Sequence, residues 1–238
     1  MAVNKDTYDR ILHELGEGVD LVAVSKIQPV QSIQALYNLG HRDFGENYVQ
    51  ELVEKAENLP KDIRWHFIGH LQTNKVKYIA QFIYLVHGVD SLKLLKEINK
   101  QAAKNNRIIH VLLQVHIAKE TTKFGLNEDE LKEIIEQVQK SDFNNIVIKG
   151  LMGMATFTDD AGKIQTEFKY LKNLFDHYAS ITHQAFQWST LSMGMSDDYK
   201  IAVQNGSNMV RIGSLLFGRR PILKSLILPG NQGYFFQE

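Results

Sequence analysis

The sequence predicts an α/β protein, a single (β/α)8 barrel of the TIM type. Three observations predict it. Short β-rich runs alternate with helical stripes; eight such units fit within 238 residues; and no linker or low-complexity stretch divides the chain. Parallel neighbours need a crossover connection, so alternation of this kind indicates a parallel sheet. Eight units in this length match a closed barrel, which typically takes ~250 residues. An open doubly wound sheet is the competing architecture. Residues 1–238 are read as one domain.

The elements follow in order. Leu21–Ser25 is a first strand, set between Gly16/Gly18 and Pro29, and a helix over Val30–Leu39 is stopped by Gly40. Arg42–Phe44 is a short second strand, with a helix over Glu46–Asn58. Trp65–Ile68 is the third, followed by a helix near Thr73–Ala80; Phe82–His87 is the fourth. Leu92, Leu95, Ile98 and Ala102 form the next helical stripe, and His110–Ile117 the fifth strand. Asn127 with Glu130 has capping-box spacing, and Leu131, Ile134, Ile135 and Val138 recur at i, i+3, i+4, i+7. Ile146–Met152 is the sixth strand, and Ile164, Phe168, Leu171 and Phe175 mark the helix after it. Phe186–Leu191 is the seventh, with a short helix over Ser196–Gln204 ended by Asn205-Gly206. Met209–Ile212 is the eighth. The tail Pro221–Glu238 is apolar and unassigned.

Composition removes several classes of function. Apolar residues at 44% are enough for a core, so disorder is not the dominant state. Lys plus Arg number 27, as do Asp plus Glu, so there is no global field for nucleic acid or anionic membrane. With no cysteine, disulfides, Cys-ligated metals and Cys nucleophiles are excluded, which fits the cytoplasm. The start lacks an apolar signal-peptide core, and no run nears the ~18 apolar residues that span a membrane.

Two strands carry candidate chemistry. In Leu21-Val-Ala-Val-Ser-Lys26, period two places Val22, Val24 and Lys26 on one face. If the valines face the core, Lys26 points inward at the strand's C-terminal end, where burial lowers its pKa and favours a nucleophilic amine. The plain alternative is a lysine snorkelling from a strand end. In Met209-Val-Arg-Ile-Gly-Ser214, Arg211 shares a face with Met209 and Gly213. A buried guanidinium needs partners, and Gly213-Ser214 after the strand forms a potential anion cradle. Ser192-Met193-Gly194 occupies the matching place after strand seven, and phosphate sites of barrels lie in those two loops. A salt-bridged arginine at an ordinary strand-to-helix turn is the alternative. Ser196-Asp-Asp198 reads as a helix cap with acids in the first turn rather than a catalytic carboxylate pair. His66 and His70 are four apart, but the first lies on a strand and no Glu falls between them, against a zinc site. Neither a G-x-G-x-x-G nor a Walker-type loop occurs.

Six motifs stand in order: Val24-Ser-Lys26, Phe44-Gly-Glu-Asn-Tyr-Val-Gln-Glu51, His66-Phe-Ile-Gly-His-Leu-Gln-Thr-Asn-Lys75, Gly150-Leu-Met-Gly-Met154, Leu191-Ser-Met-Gly-Met-Ser-Asp-Asp198 and Val210-Arg-Ile-Gly-Ser-Leu-Leu-Phe-Gly218. Together they resemble the pyridoxal phosphate (PLP) homeostasis proteins, over about residues 20–218. The resemblance implies an alanine-racemase-like barrel of the fold-type III PLP enzymes. It implies that Lys26 holds PLP as an internal aldimine and that Arg211 faces the pyridine nitrogen. Ser192, Gly213 and Ser214 would then hold the phosphate, Asn47 would lie near the ring substituents, and His66 and Met193 would form pocket wall. A Thr is common in the family where this chain has Ser214, and a Pro where it has His70. An arginine can only donate hydrogen bonds, so beside the ring nitrogen it would keep that nitrogen unprotonated and the ring a weak electron sink.

Two functional classes fit such a site. The resemblance implies a carrier and buffer of PLP, partnered by client enzymes, without strong amino-acid catalysis; the composition fits the cytoplasm, and with no apolar stripe left over for an interface the chain is read as a monomer. The alternative is an amino-acid racemase, which needs a second base; in the enzymes it resembles, a partner subunit's extra β-domain brings a tyrosine. The chain leaves little room for that domain after strand eight, and nothing in the spacing singles out Tyr48, Tyr78 or Tyr199 as a substitute. A Schiff-base aldolase acting on a sugar phosphate is a third class.

Overall fold

The computed structural model describes residues 3–118 and 124–218. Its strands are β1 Asp20–Val24, β2 Asp43–Glu46, β3 Arg64–Phe67, β4 Leu85–Val89, β5 Ile109–Gln114, β6 Ile146–Met152, β7 Phe186–Ser192 and β8 Met209–Ile212. All neighbours run parallel, and β8 pairs back onto β1, so the sheet is a closed barrel rather than an open one. The helices are α1 Lys5–Leu15 before the barrel, then α2 Val30–Asn38, α3 Val49–Asn58, α4 Val76–Ile79, α5 Leu92–Lys104, α6 Glu128–Lys140, α7 Ala161–Tyr178, α8 Tyr199–Gln204 and α9 Ser214–Phe217. The predicted tail Pro221–Glu238 lies outside the described residues.

Side-chain alternation divides the apolar residues into two layers. Ala23, Phe44, Phe67, Val111 and Ile212 point outward and pack under the helices with Leu36, Leu95, Leu131 and Phe168. Val22, Leu85, Leu112, Met152 and Met209 point inward and fill part of the barrel. The rest of the interior is polar: His66, His87, Ser192 and Arg211 are all buried. The α6 capping box forms as expected, with Asn127 and Glu130 satisfying each other's backbone, and its four-residue apolar stripe is buried.

Some boundaries differ from the sequence expectation, each for a local reason. The fourth strand starts at Leu85, because the amides of Phe82 and Ile83 are taken by the Ile79 carbonyl at the end of α4. The second helix of the barrel's first half starts at Val49, because Glu46 is still paired in the sheet with Phe67. Ser196 does not cap α8. Asp198 stands at that position, and its carboxylate turns back to accept from the Met195 amide at 2.6 Å. The α1 helix was not expected, although Tyr8, Ile11 and Leu15 share a buried face and the Asn4 side chain caps the Thr7 amide.

Candidate functional site

The strand C-termini define one mouth of the barrel, where βα loops of this architecture carry function. Lys26 follows β1, Asn47 follows β2, Ser192 ends β7, and Gly213 and Ser214 follow β8. Since β8 pairs with β1 and β1 with β2, Gly213, Lys26 and Asn47 follow adjacent strand ends and form one arc, whereas Ser192 is in register with Met209 at the start of β8 and lies below it. Closure of the barrel alone makes neighbours of the first strand and the last: Val22 is in register with Arg211.

The turn that carries Lys26 is tied on both sides. Ser25 donates its hydroxyl to Glu46 Oε1 at 2.6 Å, and its carbonyl accepts from Lys55 Nζ at 2.7 Å. The Ile27 amide donates to Glu51 Oε1 at 2.6 Å. Lys55 Nζ also reaches Glu46 Oε1 at 2.8 Å and Glu51 Oε1 at 2.6 Å, so two carboxylates share one ammonium. Burial pushes the Glu46 carboxyl up to about 7 against the pull of Lys55, and the nearby Glu51 charge adds to the rise. Ile27 sits at φ 61°, a left-handed conformation that costs a branched residue on the order of 1–3 kcal/mol and persists only where the surroundings enforce it. The Glu51 bond to its amide is such an enforcement. None of Glu46, Glu51 or Lys55 had an assigned role in the sequence; the i, i+4 spacing of Glu51 and Lys55 was the available signal.

Arg211 is 4% exposed and lies in the barrel interior. Its Nη1 donates to the Ser192 carbonyl at 3.0 Å and hydroxyl at 2.7 Å, and its Nη2 to the Gly153 carbonyl at 3.1 Å. These three acceptors are neutral. Burial therefore lowers its pKa to about 10, with only the more distant Asp198 charge opposing the fall. A cation held by dipoles alone is a favourable neighbour for an anion or a lone pair.

The remaining predicted residues divide. Asn47 is positioned by close packing: a Cβ on Gly69 would lie 2.4 Å from the Asn47 carbonyl oxygen, so only glycine lets the two loops meet. The Asn47 Oδ1 is buried and has no hydrogen-bond partner among the described residues. Gly213 packs against β1, its Cβ position 3.1 Å from the Val24 carbonyl oxygen, and its amide donates to Ser196 Oγ at 3.4 Å. Ser214 is exposed and begins α9, whose first amides have no intrahelical acceptor. Ser192 is fully buried in register with Met209 at the start of β8, its hydroxyl engaged by Arg211 and His87 and its carbonyl by Arg211 and the Gly153 amide, so it stands below the mouth rather than at it. Met193 alternates outward into the core beneath the helices. His66 does not join the arc. It bonds Asp43 at the N-terminal end of β2 and His87 in the interior. Beside the arc, a cavity of about 720 Å³ opens between the β6 and β7 loops, lined by Thr156, Phe157, Met195 and Asp198 among others.

Residues 5–221 match the alanine racemase N-terminal domain family. A curated relative from Aquifex aeolicus, named pyridoxal phosphate homeostasis protein, is 40% identical over 201 residues, covering 84% of this chain and 86% of its own. The chain belongs to the pyridoxal phosphate homeostasis protein family. PipY of Synechococcus elongatus, solved with PLP bound, superposes with a TM-score of 0.81 at 31% identity, over 90% of this chain and 99% of its own. Alanine racemase of Clostridium difficile has a TM-score of 0.71 at 18% identity, over 92% of this chain but 58% of the enzyme; that likeness is one of fold.

Proposed function

We propose that this family member binds PLP at the C-terminal mouth and acts as its carrier and buffer. One observation carries the assignment: the contiguous β8–β1–β2 arc, which gathers an amine (Lys26), a guanidinium (Arg211), an amide oxygen with no partner among the described residues (Asn47) and the Gly213-Ser214 turn. The donor set fits the group. The free amides at the start of α9 and the Ser214 hydroxyl suit a phosphate, Arg211 suits the ring nitrogen, and Asn47 suits a ring substituent. When bound, PLP supplies a reactive aldehyde and an electron-accepting ring. Lys26 would supply the amine that holds the group, and the Glu46–Lys55–Glu51 cluster fixes the turn that carries it.

The protein's own residues favour holding over turnover. Arg211 offers the ring hydrogen-bond donors and no acid, which keeps the ring a poor carbanion sink. Tyr199, one candidate second base, donates its hydroxyl to Glu14 on α1, and burial with that carboxylate pushes its pKa up to about 12. Among the described residues no helix is long and apolar enough to cross a membrane. A single-domain cytoplasmic monomer that hands PLP to client enzymes is the corresponding cellular picture.

Borohydride reduction of the PLP-loaded protein, followed by peptide mass mapping, tests the assignment. A phosphopyridoxyl adduct on Lys26, abolished in Lys26→Ala, is the expected result. An adduct confined to another lysine, or none after PLP is added, refutes it.

A further inference from the structure

The segment that carries Lys26 closes a tight turn. The Gln28 amide donates to the Ser25 carbonyl at 3.0 Å, so Lys26 and Ile27 are the second and third residues of a four-residue turn. Ile27 has φ 61°, and φ at Lys26 is not positive. A positive φ at the third residue alone defines a type II turn, whose third position favours glycine or asparagine. A type I turn closes the same hydrogen bond with negative φ at both central residues and suits isoleucine. The sequence prefers one turn, and the structure holds the other.

Two side chains of α3 account for the difference. Lys55 Nζ donates to the Ser25 carbonyl at 2.7 Å. That carbonyl accepts from the Gln28 amide in either turn type, so Lys55 keeps the turn closed without choosing between them. Glu51 Oε1 accepts from the Ile27 amide at 2.6 Å. The two types differ by a rotation of about half a turn of the peptide between Lys26 and Ile27, which reverses the direction of the Ile27 amide. Only the type II form presents that amide to Glu51. Lys55 Nζ donates to the same Glu51 oxygen at 2.6 Å and fixes it in place.

The same rotation changes Lys26 itself. Its ψ is about +120° in a type II turn and about −30° in type I. The rotamers open to a side chain depend on its φ and ψ, so the reach of the Lys26 amine depends on the turn type. We propose that Glu51 is a positioning residue for PLP: by holding the Ile27 amide it keeps the Lys26 turn in the strained type II form from which Lys26 meets PLP, and the balance between the two turn types sets how firmly PLP is held. This rests on the PLP reading of the mouth. The strain at Ile27 is part of the device. An unstrained turn would stay seated by itself, whereas this one is seated only while it is held. Bound PLP and the Glu51 bond therefore support each other, and loss of either favours the relaxed turn.

Proton NOE spectra of the PLP-free protein read the turn directly. With ψ near about +120° the Lys26 Hα lies against the Ile27 amide hydrogen and gives an intense cross-peak; near about −30° that contact is weak and the two successive amide hydrogens meet instead. The wild type is expected to show the first pattern and Glu51→Ala the second. Glu51→Gln keeps an acceptor for the Ile27 amide and is expected to follow the wild type; if Glu51 served only as the charge partner of Lys55, it would follow Glu51→Ala. Ile27→Gly supplies a residue suited to positive φ, and in that background Glu51→Ala is expected to retain the type II pattern. PLP affinity follows the same order. Glu51→Ala is expected to weaken binding about tenfold alone, the scale that strain of this kind sets, and less than about twofold together with Ile27→Gly.

A type I pattern in the wild type overturns the proposal, and this needs no variant. A Glu51→Ala turn that stays type II, a Glu51→Gln variant that behaves like Glu51→Ala, or an equal loss of PLP affinity with and without Ile27→Gly overturns it as well. If Glu51→Ala folds only when combined with Ile27→Gly, folding itself shows the coupling; failure to fold in both backgrounds overturns it. PLP binding that is indifferent to Glu51 leaves the cofactor assignment standing. Failure of the wild type to bind PLP refutes that assignment and the coupling to it, while the turn spectra still decide whether Glu51 holds Ile27.

Discussion

The two mouths of the barrel treat charge differently. At the N-terminal mouth the Arg64 guanidinium has a charged partner, the Asp43 carboxylate. Towards the C-terminal mouth Arg211 is buried on neutral acceptors, and the Asn47 Oδ1 has no hydrogen-bond partner among the described residues. The first arrangement is complete in itself. The second is completed by something that brings negative charge and hydrogen-bonding groups. The same contrast separates stability from function in barrels generally.

The largest effect is expected behind Lys26. Lys55→Met would leave Glu46 and Glu51 facing each other in a buried site, and removing one partner of such a cluster costs about 3–5 kcal/mol. The sign of its pH dependence follows from Glu46. Its folded pKa is already raised by burial, and loss of the ammonium raises it further. The penalty is therefore full at high pH and relieved as pH falls through that raised value, when Glu46 takes a proton. Urea unfolding of Lys55→Met at about pH 8 and pH 5 checks both the size and the direction. An equal, small loss at both values would mean that the cluster contributes little to the turn.

Much of this contrast was legible before the structure. The alternation of strands and stripes gave all eight strands, and period two put Val22 and Arg211 inside the barrel. Lys26, Arg211 and Gly213 were readable because a charge or a glycine at the end of an apolar strand is a local signal. Asn47 came only from a motif. Three features were not legible. Glu46 and Lys55 look like solvated charges until the helix folds them against the β1 turn. His66 and His87 become one file only when β3 and β4 pair, and Ser192 joins from 105 residues away. The resemblance put His66 in the cofactor pocket wall, whereas its ring is turned to the other mouth. Partner identity at long range is set by closure of the barrel, and no local pattern encodes it.

A pair of glycines sharpens the comparison at the level of the backbone. Gly194, in the loop after β7, and Gly40, in the loop before β2, both have φ +97°. A Cβ on Gly194 would lie 2.6 Å from the Ala202 Cβ, whereas one on Gly40 meets nothing within 4 Å. Gly40→Ala therefore carries only left-handed strain, roughly 1–2 kcal/mol. Gly194→Ala adds overpacking against α8 and is expected to cost about 2–4 kcal/mol in total. It should also weaken PLP binding, because the Ser192–Asp198 turn must move. Thermal unfolding and PLP titration of the two variants separate strain from packing; equal losses would show that the Ala202 contact yields freely.

The smallest stability effect is expected where charges are already matched. Asp43 accepts from Arg64 and His66, and these partners hold its carboxyl well below the ordinary aspartate range. Arg64 is about half exposed, which screens its share, so Asp43→Asn should cost on the order of 1–2 kcal/mol at neutral pH. A depressed carboxylate pKa stabilises the fold fully above the unfolded value near ~3.9 and loses that contribution as pH falls towards the folded one. The gap between wild type and Asp43→Asn is thus expected to hold from about pH 7 to pH 5 and to shrink below about pH 4. Parallel denaturant titrations across that range measure it. A gap that persists undiminished into acid would show that Asp43 acts there by shape and not by charge, and the N-terminal mouth would then owe its stability to packing alone.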